Sequence, residues 1–230
     1  MLSTKLVLVG ILICLPVWGG PCTMAPLTTY VGFSSTGCTF GSFTFKDFTF
    51  SVLGMSGGYT PLGAGGITVN PAAAPGMLAL NFGGAFSVTG NESVDYLITY
   101  TVDPPPIIIH GWDLDLFTFT PVAPGLASIT TDLCRTSAFS GAVCPAGAAN
   151  TFSLNVFHDG TGGSVTSTGV GFAPTNVVGV RSSISLDGNG ASADFASFTN
   201  TTDLIPEPST FLLIAGGLCA LGLLRRRRRF

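Results

Sequence analysis

Alternation of apolar and polar residues is the feature that most constrains what this chain can fold into. Val94, Tyr96, Ile98, Tyr100 and Val102 occupy every second position, and most of the residues between them are polar. Successive side chains of an extended strand point to opposite faces, so a period of two predicts a strand with one buried and one exposed face. The same alternation recurs over residues 152–156 and 178–186. The sequence therefore predicts a protein built from half-buried strands.

Further candidate strands are short and are separated by turn residues. They cover residues 39–51, 67–69, 78–82, 85–89, 111–120, 127–131 and 191–199. The chain contains 31 Gly and 15 Pro, and 187–190 (DGNG) and 159–160 (DG) are typical of hairpin turns. One helical turn is expected over residues 26–33, but no helix-length amphipathic pattern lies between the strands. The predicted fold class is all-β, as an antiparallel β-sandwich or jelly roll.

A stripe of phenylalanines runs through residues 40–50. Phe43 and Phe45 lie on one parity of the strand, whereas Phe48 and Phe50 lie on the other. A change of parity within one strand predicts a bulge or tight turn between the two pairs. We interpret the stripe as core, and the alternative is an exposed aromatic row that stacks on sugar rings.

Residues 1–19 have the order of a secretory signal peptide. Lys5 precedes an apolar run of ten residues, 6–15, and Pro16 follows it. The small residues Val17 and Gly19 stand at positions −3 and −1 of a cleavage site after Gly19. A buried core helix is the alternative, but it fits poorly with a charge at the front of an extreme N-terminal segment. The sequence predicts export through the secretion machinery and an N-terminal signal helix.

A second apolar segment, residues 211–224, precedes a cluster of arginines at the C-terminus. It has fourteen residues without a charge. A helix of that length rises about 21 Å and crosses a hydrocarbon core of about 30 Å only with tilt or local thinning. The positive-inside rule keeps the arginines cytoplasmic, so the preceding domain faces outward. We predict a C-terminal transmembrane helix with a membrane-retention cluster, rather than a nucleic-acid-binding tail; the cluster is Arg225, Arg226, Arg227, Arg228 and Arg229.

Pro206, Glu207 and Pro208 stand immediately before this helix. Pro-Glu-Pro, a short apolar helix and terminal arginines, in this order, resemble the PEP-CTERM sorting signal of Gram-negative bacteria. The resemblance covers residues 205–230. It implies processing by an exosortase, a membrane enzyme that cuts at the motif and passes the protein to the cell exterior, often alongside exopolysaccharide production. The two prolines also keep this segment extended and its backbone accessible.

The charges of the middle segment, the exported domain over residues 20–204, are mostly acidic. Between residues 20 and 205 there are three cations and eleven acids, a net charge of −8. Such a charge disfavours nucleic acid and anionic membrane as partners of the folded part.

Four cysteines lie in the exported segment: Cys22, Cys38, Cys134 and Cys144. Disulfides are the default in an oxidising compartment, and four cysteines allow three pairings. The short separations favour joining Cys22 to Cys38 and Cys134 to Cys144. Zinc is the alternative, but closely spaced cysteine pairs and partner histidines are lacking.

Catalytic and metal motifs are weak, and we expect no catalytic site and no cofactor. His110 and His158 are the only histidines of the chain. In a chain this rich in Ser and Thr, a histidine, a nearby Asp and a serine can occur together by chance, so such a triad is weak evidence for catalysis. Asp113, Asp115, Asp187 and Asn189 could supply oxygen ligands to a cation, but we interpret them as a solvated strand face and a hairpin turn and expect no metal site.

The sequence thus predicts an exported, non-catalytic component of the cell surface or extracellular matrix. Its expected partners are an exosortase-type enzyme, the secretion machinery, the membrane during transient anchoring, and extracellular polysaccharide. A carbohydrate-binding module or adhesin is the second hypothesis, and an extracellular hydrolase is the third. Exposed aromatics on one sheet face distinguish the second, and a histidine beside an acid in a concave pocket distinguishes the third.

Overall fold

The computed structural model describes residues 20–103, 108–119 and 123–205. The predicted N-terminal signal helix (1–19) and C-terminal transmembrane helix (211–224) lie outside these residues. The described residues form strands and one short helix, α1 (Leu27–Gly32). The strands are β1 (Ala25–Pro26), β2 (Cys38–Phe40), β3 (Phe43–Ser56), β4 (Thr68–Ala74), β5 (Met77–Gly90), β6 (Ser93–Asp103), β7 (Ile108–Phe119), β8 (Leu126–Arg135), β9 (Thr151–Asp159), β10 (Ser164–Val165), β11 (Ser167–Thr175), β12 (Val178–Asp187) and β13 (Ala191–Ile205).

The strands form two antiparallel sheets that pack into a β-sandwich, as the alternation predicts. The six-stranded sheet has the order β1-β4-β5-β13-β7-β11, and the seven-stranded sheet has the order β10-β9-β8-β12-β6-β3-β2. Strands that neighbour each other in these sheets pair in antiparallel register. The turns between β5 and β6 and between β12 and β13 pass the chain from one sheet to the other, so both sheets are needed to complete the fold.

The core lies between the two sheets and consists of the inward side chains of the alternating strands. Tyr100 of the seven-stranded sheet faces Phe82 of the six-stranded sheet, with ring centroids 6.0 Å apart. Tyr96 and Phe86 make the equivalent contact at 6.0 Å in edge geometry. Burying each large apolar side chain stabilises the fold by about 1.5–3 kcal/mol, which makes these contacts the main support of the sandwich.

A buried polar network joins the sheets within this core. Asn200 accepts hydrogen bonds from Trp112 Nε1 and Thr131 Oγ1, both at 3.3 Å, and its Nδ2 donates to Ser182 Oγ at 3.1 Å. Burial raises the pKa of Tyr100, and the nearby Asn200 side chain lowers it in part. The Tyr100 hydroxyl itself is buried without a hydrogen-bond partner among the described residues. Buried polar groups are costly without partners, so the network favours one alignment of the two sheets.

Strand β3 contains the bulge that the phenylalanine parity predicts. Its pairing with β6 shifts between Lys46 and Thr49, and Asp47 adopts a left-handed backbone conformation with φ of 57°. The extra residue lets Phe45 and Phe48 both point into the core, where they are 2% and 3% exposed. The bulge also turns the Asp47 side chain outward.

The strands differ from the sequence prediction in several places, and three of these differences have a clear physical reason. The predicted strand 39–51 is divided into β2 and β3 by a turn at Gly41, where φ is 61°. Segments 78–82 and 85–89 form one strand, β5, because Gly83 and Gly84 allow a register shift against β13 rather than a turn. Strand β11 was missed, since its glycines weaken the alternation and its apolar Val170 and Phe172 are only half-buried.

The N-terminal part of the described chain packs onto one end of the core. Leu27 and Tyr30 of α1 are fully buried, which explains why so short a helix is stable. The Tyr30 hydroxyl donates to the Thr23 carbonyl at 2.8 Å, and burial raises the pKa of Tyr30 to about 12. A disulfide joins Cys22 to Cys38 and holds this segment against β2.

Candidate binding groove

A groove of about 570 Å³ lies on the outer face of the seven-stranded sheet. Its floor is formed mainly by outward-facing residues of β3, β6 and β12, together with buried parts of Tyr100 and Val180, and one wall is a loop between β8 and β9. The volume falls within the range typical of small-molecule sites, about 300–1,000 Å³. The lining residues are Asp47, Thr49, Leu97, Thr99, Tyr100, Thr101, Ala138, Phe139, Gly141, Ala142, Val180 and Arg181.

The wall loop, defined here as residues 136–150, is closed by the second disulfide, which joins Cys134 to Cys144. Gly179 donates its backbone N–H to the Ser137 carbonyl at 2.9 Å. A Cβ on Gly179 would stand 2.8 Å from that carbonyl oxygen and 2.8 Å from Phe139 N. Glycine is therefore required at this position if the wall loop is to cross the sheet and bring Phe139 to the groove.

Arg135 fastens the far end of the wall loop. Its Nε donates to Asn150 Oδ1 at 2.9 Å, and its NH1 donates to the Ala173 carbonyl at 3.2 Å. Asn150 Nδ2 donates in turn to the Ala146 carbonyl at 2.7 Å. The disulfide, Gly179 and Arg135 together hold the loop in one conformation.

The floor carries a row of polar side chains that follows the strand register. Thr49 is paired with Thr99, and Thr99 is paired with Arg181. The Thr49 and Thr99 hydroxyls are hydrogen-bonded at 2.6 Å. Along each of these strands, the polar residue of the row alternates with buried residues of the opposite face. The period of two that builds the core therefore also places this polar row on the outside.

Arg181 differs from the other two cations of the described residues. Lys46 makes a 2.7 Å salt bridge with Asp103, and Arg135 is used to hold the wall loop. Arg181 has one ionic neighbour, Asp132, at 3.6 Å from NH1, and its Nε is buried without a hydrogen-bond partner. A guanidinium has five N–H donors, and the Arg181 side chain lines the groove with 24% of its surface exposed, so donors of its terminal nitrogens, rather than the buried Nε, are left for a ligand there.

The histidines that entered the hydrolase hypothesis do not meet at this groove. His110 lies on β7 of the six-stranded sheet, and His158 lies on β9 near the end of the seven-stranded sheet. Neither residue lines the groove. The geometry that the hydrolase hypothesis requires is therefore not found there.

The carboxylates proposed as cation ligands lie in two separate places. Asp113 and Asp115 are on the outer face of the six-stranded sheet together with Asp203, and desolvation, followed by the charges of Asp203 and Asp115, raises the pKa of Asp113. Asp187 and Asn189 lie in the tight turn from β12 to β13, in which Asn189 N donates to Asp187 Oδ1 at 2.9 Å. The turn connects the two sheets and is not the hairpin turn that the sequence predicts. Among the described residues, no group of three or more His, Cys, Asp and Glu side chains is placed to hold a metal ion.

The phenylalanine stripe is core rather than a sugar-stacking surface. Phe43, Phe45 and Phe48 are buried, and Phe40 and Phe50 pack against the core. The large hydrophobic residues that are exposed in the described part of the chain are aliphatic or methionine, without an aromatic among them. A row of exposed aromatic side chains is thus absent from the described residues, although the half-buried Phe139 lines the groove.

The sorting and retention residues predicted from the sequence, 206–208 and 225–229, lie outside the described residues. No helix among the residues that the structure describes is long and apolar enough to cross a membrane. The last described strand, β13, ends at Ile205, directly before Pro206.

Comparison with protein families identifies the C-terminal segment. The model of the PEP-CTERM protein-sorting motif matches residues 204–229. This chain carries a PEP-CTERM sorting motif. The match agrees with the resemblance carried by Pro206, Glu207, Pro208 and the arginine cluster, and it is confined to the same end of the chain. The matched model describes a sorting signal rather than a catalytic domain.

One solved structure that this chain matches is a carbohydrate-binding module, TmCBM61, in complex with β-1,4-galactotriose. It is 12% identical, the match covers 70% of this chain and 88% of that chain, and the TM-score is 0.31. A likeness of this strength does not establish a shared function. A search of curated proteins found no match.

Sequence reasoning missed the groove and its key residues. The sequence shows Arg181 as one of three cations between residues 20 and 205. That its Nε is buried without a hydrogen-bond partner in the described part of the chain depends on which strands flank β12. Phe139 and Gly179 are 40 residues apart in sequence, and they meet because the wall loop folds back over the sheet. The short Cys134–Cys144 spacing was the available signal, since it predicts a closed loop.

Proposed function

We propose that this protein is a non-catalytic component of the cell surface or extracellular matrix, exported as a precursor and processed at its C-terminal sorting motif. The proposal rests on the PEP-CTERM motif at residues 204–229. In it, the signal peptide 1–19 directs the chain to the secretion machinery, and the helix 211–224 holds it at the inner membrane. An exosortase-type enzyme then cuts near Pro206-Glu207-Pro208 and releases the domain to the surface, where it associates with extracellular polysaccharide.

The end of β13 supports cleavage at this position. β13 lies between β5 and β7, so it is an interior strand of the six-stranded sheet, and its Leu204 N–H donates to the Gly76 carbonyl at 2.9 Å. A cut after residue 205 leaves every described strand intact, whereas a cut earlier would remove part of an interior strand. The motif therefore begins where the sandwich ends.

The disulfides support an oxidising destination. The exported segment has four cysteines, and all four are in disulfides in the structure. Disulfides persist outside the cytosol, where thiols are not kept reduced. This agrees with a domain that works outside the inner membrane.

Mass spectrometry of the surface fraction tests the proposal. We expect mature protein that begins near Gly20 and ends within residues 205–210. Glu207→Ala should block C-terminal processing, and replacement of the five arginines by glutamine should weaken retention and disturb orientation. Ser209→Ala, which changes a neighbouring residue outside Pro206-Glu207-Pro208, is the control. Exported protein that still contains Phe230 would show that the segment is a permanent anchor and would overturn the proposal.

Carbohydrate binding is the second candidate function, and the groove is the observation that favours it over a hydrolase. A groove with polar groups and one half-buried aromatic residue suits recognition of a hydroxyl-rich ligand. Turnover of ester, peptide or glycoside substrates that is lost in His110→Ala or His158→Ala would instead favour the hydrolase.

A further inference from the structure

We infer that the groove on the seven-stranded sheet binds a neutral, hydroxyl-rich saccharide chain, with Arg181 as its main hydrogen-bond donor. This deepens the proposed association with extracellular polysaccharide and rests on it. It assigns binding to residues that the sorting motif does not involve. The two ideas can therefore fail separately: the sorting proposal is tested by the chain ends, and this one by ligand affinity.

The Arg181 guanidinium has hydrogen-bond donors that the described residues do not use. Its side chain is 24% exposed, and its ionic neighbour Asp132 is 3.6 Å from NH1, beyond normal hydrogen-bond length. Lys46 and Arg135, by contrast, are paired. Leaving partly desolvated donors without partners costs free energy. A ligand rich in oxygen acceptors would supply hydrogen-bond partners to the Arg181 guanidinium.

Acceptors and an aromatic ring lie around the same groove. Asp47 is exposed at the rim because the β3 bulge turns it outward, and its carboxylate is available to accept hydrogen bonds from ligand hydroxyls. The Thr49 and Thr99 hydroxyls are bonded to each other and retain further capacity. Phe139 contributes an apolar surface for the C–H face of a sugar ring. Donors, acceptors and an apolar surface together match a polyhydroxylated ring.

The acidic charge of the domain favours a neutral ligand over an anionic one. The segment 20–205 has a net charge of −8, Asp132 is the ionic neighbour of Arg181, and Asp47 lines the same groove. A polyanion would gain one favourable contact with Arg181 but would be repelled by the domain as a whole. A neutral chain satisfies the Arg181 donors without this repulsion.

Affinity electrophoresis of the full chain in mild detergent tests the inference. The gels contain dextran, a β-galactan, a β-glucan or a galactomannan as neutral probes, and alginate as the polyuronate probe. We expect retardation by at least one neutral glycan. Arg181→Gln should weaken that binding by about tenfold or more, because it removes hydrogen bonds from a charged donor.

Lys46→Gln is the matched control, since it removes the same charge from a residue that does not line the groove. It should change affinity by less than twofold. If thermal melting shows that Arg181→Gln does not fold, Phe139→Ala is the second variant, and it should also weaken binding. Retardation by none of the neutral glycans, retardation by alginate alone, or binding that is unchanged in both groove variants would overturn the inference.

Discussion

The two outer faces of the sandwich differ in their charged groups, although the inner faces that join them are alike. The face of the seven-stranded sheet carries Arg181, the threonine pair and the wall loop. The six strands of the other sheet contain no lysine or arginine, and that face carries the carboxylates of Asp113, Asp115 and Asp203. One face therefore combines a groove with charges of both signs, whereas the other carries carboxylates without cations in its strands.

This difference shows that packing determines one side of each strand and leaves the other side free for chemistry. The inward residues of both sheets are restricted by a shared core, so they resemble each other. The outward residues have no such restriction, and the disulfide-closed wall loop is added to the outer face of the seven-stranded sheet. The following changes test whether the loop and the charges produce the contrast between the faces.

The largest effect is expected from removing the Cys134–Cys144 disulfide. The double change Cys134→Ala with Cys144→Ala should lower the free energy of unfolding by about 3 kcal/mol, because it releases a closed loop in the unfolded chain. It should also loosen the groove wall and weaken glycan binding. Chemical denaturation and affinity electrophoresis measure the two effects.

Cys22→Ala with Cys38→Ala is the matched control for this change. Its loop is similar in size, with a sequence separation of 16 compared with 10, so the loss of stability should also be about 3 kcal/mol. Glycan affinity should persist, since neither of these cysteines lines the groove. Equal loss of binding in both variants would contradict a specific role for the wall loop.

A smaller effect is expected from Gly179→Val. The new side chain would collide with the Ser137 carbonyl and Phe139 N, so the wall loop should move away from the sheet. We expect a loss of about 1–3 kcal/mol in unfolding free energy, together with weaker glycan binding.

The control for Gly179 is Gly63→Ala. A Cβ at Gly63 meets nothing within 4 Å, and its φ of −77° suits alanine. Its unfolding free energy should stay within about 0.5 kcal/mol of the parent. A parent-like melting curve for Gly179→Val would mean that the loop does not depend on this contact.

The smallest effect is expected on the acidic face, from Asp113→Asn. Desolvation and the charges of Asp203 and Asp115 raise the pKa of Asp113 in the folded state. The folded protein then binds protons more readily than the unfolded chain, so stability falls as pH rises from about 4 through the raised pKa. The substitution should remove this fall and raise stability at pH 7 by less than about 1 kcal/mol, because the group is partly exposed.

Urea titrations at pH 3 and pH 7 measure this difference, which should be seen at pH 7 and vanish at pH 3. Asp95→Asn, which removes one carboxylate from the seven-stranded sheet, is the control for net charge. A gain of the same size in both variants would show that total charge, rather than the Asp113 cluster, is responsible.

The alternation of apolar and polar residues was sufficient to predict the sandwich and most of its core. Val94, Tyr96, Ile98, Tyr100 and Val102 are all buried, as the period of two requires. The parity change of the phenylalanines predicted the β3 bulge. These predictions succeed because the direction of a side chain along a strand depends on local backbone geometry alone. The C-terminal motif was equally local, since its three parts follow one another in sequence.

Tertiary structure alone decided which outward residues meet. Arg181, Thr99 and Thr49 share a row because β12, β6 and β3 are neighbours in that order, and strand order is not encoded in the period of any one strand. The contact of Gly179 with the wall loop likewise brings together distant parts of the chain. The sequence by itself therefore determined the fold class and the sorting signal, whereas the groove arises from long-range strand pairing.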